Sequence, residues 1–170
     1  MEMRTMSRSR RRGHGRRWLI GLIVVLVLIA GGATIASIAL RPVNTARERV
    51  TELAIKRNKI TSATQFFRVS RQHTYYSVIG ENKQHQEIGV IVKDKSKKMT
   101  TVQMKNGLSA AEVRNLVKSK YQPKRITSLG LAIYEQVPVW EVTFTDRQGN
   151  LNLITFQFSD GKAVRTIQHL

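Results

Sequence analysis

One uninterrupted apolar run dominates the N-terminal part of the chain. It extends from Trp18 to Leu40, WLIGLIVVLVLIAGGATIASIAL, and contains no charged residue. As a helix this run would be roughly 34 Å long, enough to cross a hydrocarbon core of about 30 Å. A buried core helix is a poor alternative, because a domain this small could not cover such a helix on every side. The pattern predicts a transmembrane helix over residues 18–40.

A cleaved signal peptide is the alternative that stays open for this run. The small residues in Ser37-Ile38-Ala39 would suit a cleavage site. However, the apolar region of a signal peptide is only about 7–15 residues long. The length of the run therefore favours an uncleaved signal anchor.

Charge sets the expected orientation of this anchor. Seven arginines fall between Met1 and Arg17, against one acid, Glu2. Positive charge beside a first span stays in the cytoplasm. This predicts a basic cytoplasmic tail over residues 1–17 and an extracytoplasmic C-terminal part in a single-pass cell-membrane protein. The tail could also be a nucleic-acid arm, but its place against a span makes topology the simpler explanation, and no nucleic-acid partner is expected.

The last third of the chain alternates between helical and strand patterns. Ser109 and Glu112 form a capping-box pattern before apolar residues at helical spacing, and Pro123 ends the predicted helix. Period-two alternation and the turn signals then predict strands over 126–134, 137–145, 151–158 and 163–167. Trp140, Phe144 and Phe156 are predicted to lie in the core.

A similar order of features occurs earlier in the chain, with an offset of 64. A second capping-box pattern begins at Thr45, Tyr76 aligns with Trp140, and Val92 aligns with Phe156. The segment Ile60-Thr61-Ser62 answers Ile126-Thr127-Ser128 with an offset of 66. Residues 61–69, TSATQFFRV, fit either a strand or a continuation of the first helix past Lys59.

These patterns predict an α+β protein with two tandem units, each a helix followed by an antiparallel sheet. The turn dipeptide Asn106-Gly107 divides the exported part into a first unit with its leading helix, 41–106, and a second unit, 107–170. A single unit of about 60 residues has a marginal core, so the two are expected to pack on each other or share a sheet edge. Tyr75 and Tyr76 point to opposite faces of their strand, so one of them is expected to be exposed.

The candidate chemistry is sparse. None of the four histidines has a second histidine at metal-ligand spacing, and the chain has no cysteine. No carboxylate pair, glycine-rich phosphate loop or nucleophile elbow is present in the sequence. We therefore predict no catalytic, metal or cofactor-binding residue and no enzyme activity. An exported domain without disulfides fits a Gram-positive-type protein.

Basic charge is concentrated in the first unit. Residues 41–108 hold fourteen basic and five acidic residues, and residues 109–170 hold eight and five. Lys95, Lys97 and Lys98 crowd one predicted turn and are candidate contacts for a polyanion. A merely solvated surface would explain the same charges equally well.

Two phrases carry a resemblance to a known family. They are VWEVTFTDRQGNLNLITFQFSDGK, Val139–Lys162, and SAAEVRNLV, Ser109–Val117. With the basic N-terminus, the single span and the Tyr75-Tyr76 strand start, they make the chain resemble the TseB-like regulators of cell-wall elongation. The resemblance implies tandem PepSY-like, or cystatin-like, units, a penicillin-binding protein as partner, and regulation without catalysis. It supplies no binding residues, and the arginine-rich tail is longer than the family would lead one to expect.

Three functional hypotheses follow. The first is a non-catalytic membrane-anchored adaptor that regulates wall elongation and cell shape by binding a penicillin-binding protein or another wall-synthesis protein. The second is a module that binds an anionic wall polymer or lipid through its basic first unit. The third is a PepSY-type modulator of a peptidase. Salt separates the first two, since polyanion binding falls steeply with ionic strength.

Overall fold

The computed structural model describes the backbone of residues 14–170 and the side chains of residues 18, 20–29 and 45–170. Most of the predicted tail, and the side chain of Leu40 at the predicted end of the span, lie outside these residues. The chain forms two compact units, Met1–Asn44 and Thr45–Leu170. The second unit contains every strand described below.

The first helix, α1, runs from His14 to Lys56. Trp18, at the predicted start of the span, is 83% exposed. Among the residues that the structure describes, no helix combines the length and the apolar content needed to cross a membrane.

The predicted start of a helix at Thr45 is wrong, because α1 already includes that residue. A capping box forms only where the chain before the cap has left the helix, and here the chain before Thr45 is helical. The other end of α1 settles the ambiguity left by the sequence. The helix stops at Lys56, Asn58 takes a left-handed conformation with φ 52°, and residues 62–70 form a strand.

Two separate antiparallel sheets follow, each a four-stranded meander. The first has the order β1 (Ser62–Ser70), β2 (Thr74–Glu81), β3 (Glu87–Lys93) and β4 (Met99–Gln103). A 3-10 turn, Met104–Asn106, and helix α2, Ala110–Tyr121, connect it to the second. The second has the order β5 (Arg125–Tyr134), β6 (Val137–Thr145), β7 (Leu151–Gln157) and β8 (Ala163–Ile167). The predicted strands of the second half are therefore confirmed to within one residue at each end.

The predicted helix after residue 107 is also confirmed, together with its cap. Ser109 Oγ accepts the Glu112 N–H, and Glu112 Oε2 accepts the Ser109 N–H at 2.7 Å. The Ser109 hydroxyl also donates to Glu112 Oε2 at 2.8 Å, and the two bonds from the Ser109 backbone and hydroxyl to this carboxylate hold the pKa of Glu112 below its ordinary value. The helix ends at Gln122, which has a left-handed conformation, one residue before Pro123.

The strand register reproduces the repeat. Tyr76 lies opposite Val92, and Trp140 lies opposite Phe156, so the two pairs keep the predicted offset of 64. The first strands of both sheets carry a β-bulge, after Ala63 in β1 and after Ile126 in β5. These bulges correspond with an offset of 63, so the offset of 66 assigned to this strand from sequence is wrong. The reason is that the two Ile-Thr-Ser segments are not structurally equivalent. Ile60 lies before the start of β1, whereas Ile126 lies inside β5.

Each helix covers one face of its own sheet. Ala46, Val50 and Ala54 of α1 pack on the first sheet, over a core formed by Ile60, Tyr76, Val78, Ile88, Val90 and Val92. Ala110, Val113 and Val117 of α2 pack on the second sheet, over a core that includes Trp140, Val142, Phe144, Ile154 and Phe156. The predicted core positions of Trp140, Phe144 and Phe156 are thus confirmed.

The two repeats pack face to edge rather than sharing a strand pair. The face of the first sheet that α1 does not cover carries Phe67, Ile79 and Ile91. Their side chains pack in the core of the second repeat. Strand β5 lies against that face, where the Leu131 N–H donates to Ser77 Oγ at 3.2 Å. Both faces of the first sheet are therefore covered. For this reason the expectation that Tyr75 or Tyr76 is exposed is wrong: Tyr76 is buried and Tyr75 is partly buried.

Candidate functional site

The three candidate lysines, Lys95, Lys97 and Lys98, lie on the turn that joins β3 to β4. Lys95 and Lys97 line a cavity of about 320 Å³ between this turn and the last turns of α1. We call this cavity the basic groove, and its lining is Arg49, Val50, Glu52, Leu53, Lys56, Val92, Lys95, Ser96 and Lys97. Lys98 is exposed beside it.

Hydrogen bonds from backbone N–H groups to two side chains fix the shape of this turn. Asp94 Oδ1 accepts the Lys95 N–H at 2.9 Å, and Ser96 Oγ accepts the Lys98 N–H at 3.0 Å. Lys95 is left-handed, with φ 59°, a conformation that favours glycine. The turn therefore presents its lysines from an ordered backbone rather than from a loose loop.

The groove carries more positive than negative charge. Arg49 pairs with Asp94 at 3.4 Å, and Lys56 pairs with Glu52 at 3.2 Å. Among the described residues, Lys95, Lys97 and Lys98 form no salt bridge. The groove and its turn thus keep an excess of three positive charges. The two existing pairs are exposed, so each stabilises the fold by about 1 kcal/mol at most.

A second polar site lies where the repeats meet. We call it the inter-repeat cluster, made of Arg71, Glu141, Thr155 and Arg165. Arg71, from the loop between β1 and β2, reaches the open face of the second sheet and donates to Thr155 Oγ1 at 2.7 Å. Its other terminal nitrogen donates to the carbonyls of Val142 and Ile154.

Glu141 is the acid of this cluster, and its side chain is 11% exposed. Its Oε2 lies 3.7 Å from Arg71 Nε, too far for a hydrogen bond, so the attraction between them is coulombic. Burial raises the pKa of Glu141, and the positive charges of Arg71 and Arg165 only partly oppose this. Burial likewise lowers the pKa of Arg71. Neither Arg71 Nε nor Glu141 Oε2 has a hydrogen-bond partner among the described residues.

A groove of about 200 Å³, with both polar and apolar side chains in its lining, lies at one end of the second sheet. We call it the second-repeat groove, lined by Tyr134, Glu135, Val137, Val139, Gln157 and Val164. Val137 and Val164 are 45% and 44% exposed. Arg165 lies over the Tyr134 ring at 5.8 Å. Two exposed valines with polar neighbours beside an edge strand could take part in a protein–protein contact.

The histidines do not come together in the part of the chain that the structure describes. His85, in the turn between β2 and β3, lies 3.5 Å from Glu81, and His169, in the C-terminal segment after β8, lies 3.9 Å from Asp146. Both side chains are exposed. No group of three or more metal-ligating side chains occurs among the described residues. The side chain of His14 lies outside them. The prediction that the protein has no metal, cofactor or catalytic residue stays a prediction.

Comparison with known proteins places the chain beside one family. The model of the cell wall elongation regulator TseB-like domain matches residues 51–93, from the end of α1 through β3. A Bacillus subtilis (strain 168) protein named probable cell wall elongation regulator TseB is 26% identical over 150 residues, which cover 88% of this chain and 92% of the relative. The predicted resemblance to the TseB-like family is confirmed.

A solved structure also matches. The YpmB protein from Bacillus subtilis superposes with a TM-score of 0.59 at 25% sequence identity, over 71% of this chain and 95% of that one. The matched 71% of this chain is more than either repeat holds, so both repeats contribute to the match.

Sequence reasoning finds the lysines but misses their surroundings. Arg49 and Lys56 carry no signal of their own, because they lie far before the lysines in the chain and only the fold brings them together. Arg71 is missed for the same reason, since Glu141 belongs to the other repeat. One sequence signal could have predicted a cation near Glu141. Glu141 lies on a strand whose other face, with Trp140, is apolar, so the strand is expected to be buried. A buried carboxylate needs a positive partner.

Proposed function

We propose that this protein is a non-catalytic, membrane-anchored regulator of cell-wall elongation that works by binding a wall-synthesis protein, in the first place a penicillin-binding protein. The observation that carries the proposal is the similarity to the relative named probable cell wall elongation regulator, which extends over 88% of the chain. Each repeat would be a PepSY-like, or cystatin-like, unit of one helix on a four-stranded sheet. Such units serve here as scaffold and contact surface.

The second-repeat groove is the contact surface that we favour for this partner. Its exposed valines would lose water on binding, and the adjacent edge strand β8 could accept an extended segment. The anchor would confine both proteins to one membrane, which raises their effective concentration. A modest affinity, with a Kd of about 1 μM, or about −8 kcal/mol, would therefore suffice.

Binding of the exported part, Pro42–Leu170, to a purified penicillin-binding protein tests this function. Val164→Glu should weaken the binding at least tenfold, because it replaces one of the exposed valines of the groove with a charged side chain. Thr101→Glu on β4, the corresponding edge strand of the first repeat, is the matched control and should leave binding unchanged. Calorimetry or surface plasmon resonance would measure both.

Two results would count against this function. Capture of no wall-synthesis protein by the intact chain in cells would remove the adaptor hypothesis. If instead neutralising Lys95, Lys97 and Lys98 abolished all binding to cell walls while no protein partner was ever found, the polyanion hypothesis would replace it.

The proposed anchor is residues 18–40, with the arginine-rich tail in the cytoplasm. Protease added to intact, wall-stripped cells should then digest the chain beyond Arg41 and spare the tail. Antibodies against each end would follow the fragments on a gel. Protection of the C-terminal half until the membrane is dissolved would contradict this orientation.

A further inference from the structure

The basic groove is built for a ligand that is both anionic and partly apolar. We propose that it binds the phosphate headgroup of an anionic phospholipid, in the bilayer that holds the chain. The inference rests on the proposed membrane anchor. It gives the first repeat a role of its own, which is to dock the exported unit on the membrane surface.

The charge of the groove favours an anionic ligand. Three lysines without a salt bridge among the described residues lie on one short turn, and the two neighbouring basic residues of α1, Arg49 and Lys56, line the same groove. Each lysine near an anionic leaflet shifts the equilibrium toward the bound state by about fivefold. Phosphate is the anion that a lysine cluster of this kind recognises without demanding bidentate geometry.

The floor of the groove favours a ligand that also has an apolar part. Leu53 is half-buried and supplies the accessible apolar surface of this floor, over the buried side chains of Val50 and Val92. A fully hydrated wall polymer would gain nothing from this apolar floor. A phospholipid would gain from it, because the glycerol and the first methylenes beside its phosphate could cover this apolar surface.

The second repeat supplies an internal comparison. Its corresponding turn, Phe158–Lys162, carries one lysine and one aspartate, so its formal charge is zero. The side chains of Leu108 and Leu116 lie against Gly161 there, within 3.2 Å of where a Cβ would be. The same place in the fold is filled with leucine in one repeat and open and basic in the other.

The chain also keeps the groove within reach of the bilayer. Arg49 follows Leu40, the predicted end of the span, by nine positions. A chain of this length extends about 32 Å at most. The length of the chain therefore sets an upper limit on the distance between the end of the predicted span and Arg49.

The test uses the full chain in nanodiscs. The chain has no cysteine, so Gln72→Cys provides a single site for a fluorophore. Gln72 is exposed and lies in the β1–β2 loop. This loop is next to the lysine turn, because the Asp94 N–H donates to the Thr74 carbonyl. Quenching by headgroup-labelled lipid is compared between discs with phosphatidylglycerol and discs with phosphatidylcholine alone. We expect stronger quenching with phosphatidylglycerol, and its loss at high salt.

Two variants locate the effect. Lys95→Gly with Lys97→Ser removes two charges, and glycine suits the left-handed conformation of residue 95, so the melting temperature should not fall. The fluorophore of this variant should be quenched no more strongly in phosphatidylglycerol discs than in phosphatidylcholine discs. Lys162→Ser, in the corresponding turn of the second repeat, should behave like the parent.

Equal quenching in the two lipids, or no effect of the lysine variant, overturns the proposal. Binding of soluble polyphosphate to the same lysines, with no preference for phosphatidylglycerol discs, makes a wall polymer the occupant and overturns the lipid assignment. If the lysine variant loses docking yet still binds a penicillin-binding protein, the two functions are separate and both stand. A chain that fails to enter nanodiscs removes the anchor and this inference together.

Discussion

Replacing Trp140 with alanine should lower the free energy of unfolding of the exported part by about 3–5 kcal/mol. Trp140 is fully buried, packs edge-to-face on Phe67 with ring centroids 5.7 Å apart, and donates from Nε1 to the Leu108 carbonyl at 2.8 Å. The substitution leaves a large cavity and an unpaired carbonyl at once. Since small domains have only about 5–15 kcal/mol in total, this loss is a large fraction of the stability and should shift the unfolding midpoint strongly.

Urea denaturation followed by circular dichroism would measure this loss. Val137→Ala is a suitable control, because Val137 lies on the same strand but is 45% exposed. It should change the stability by no more than about 0.5 kcal/mol. A loss below about 1 kcal/mol for Trp140→Ala would contradict the packing described here.

Replacing Arg71 with methionine should cost a similar amount, about 3–5 kcal/mol near neutral pH, because it removes the ion-pair partner of a buried carboxylate and leaves Glu141 with Arg165 alone as a counter-charge. The double variant Arg71→Met with Glu141→Leu should recover most of this loss, since it removes both charges together. A double-mutant cycle by denaturation measures the coupling. Additive losses would show that the two groups do not interact.

The loss on removing Arg71 should also depend on pH. A carboxyl whose pKa is raised by folding, as burial raises that of Glu141, favours the folded state at low pH, and this contribution disappears as the pH rises through its folded pKa. Removing Arg71 takes away a charge that lowers this pKa. The penalty should therefore be largest above the folded pKa of Glu141 and shrink as the pH falls toward the ordinary glutamate pKa. A penalty that is constant with pH would contradict the assignment.

Local patterns predict the second repeat well. The cap at Ser109, the strand from Val137 to Thr145 and the core position of Trp140 all depend on neighbours close in sequence, so the chain itself carries the signal. The predicted start at Thr45 is wrong because the state of the preceding chain, and not the cap residues, decides where a helix begins. The partial burial of Tyr75 follows from β5 lying across the first sheet, which no local pattern encodes.

The candidate sites show the same division. Lys95, Lys97 and Lys98 are close together in sequence, so their cluster can be predicted. The partners that turn them into a groove come from α1, and the cation of Glu141 comes from the other repeat. Contacts between residues tens of positions apart depend on how the sheets pack, which periodicity does not determine.

The packing of first-repeat side chains into the second core limits where this chain can be divided. Phe67, Ile79 and Ile91 complete a core centred on Trp140, and Arg71 closes the open face of the second sheet. A cut at Gly107, which the repeat suggests as a natural boundary, would expose that core on one side and that face on the other. The two repeats are thus not interchangeable modules, because their burial is asymmetric and one half supplies part of the other's interior.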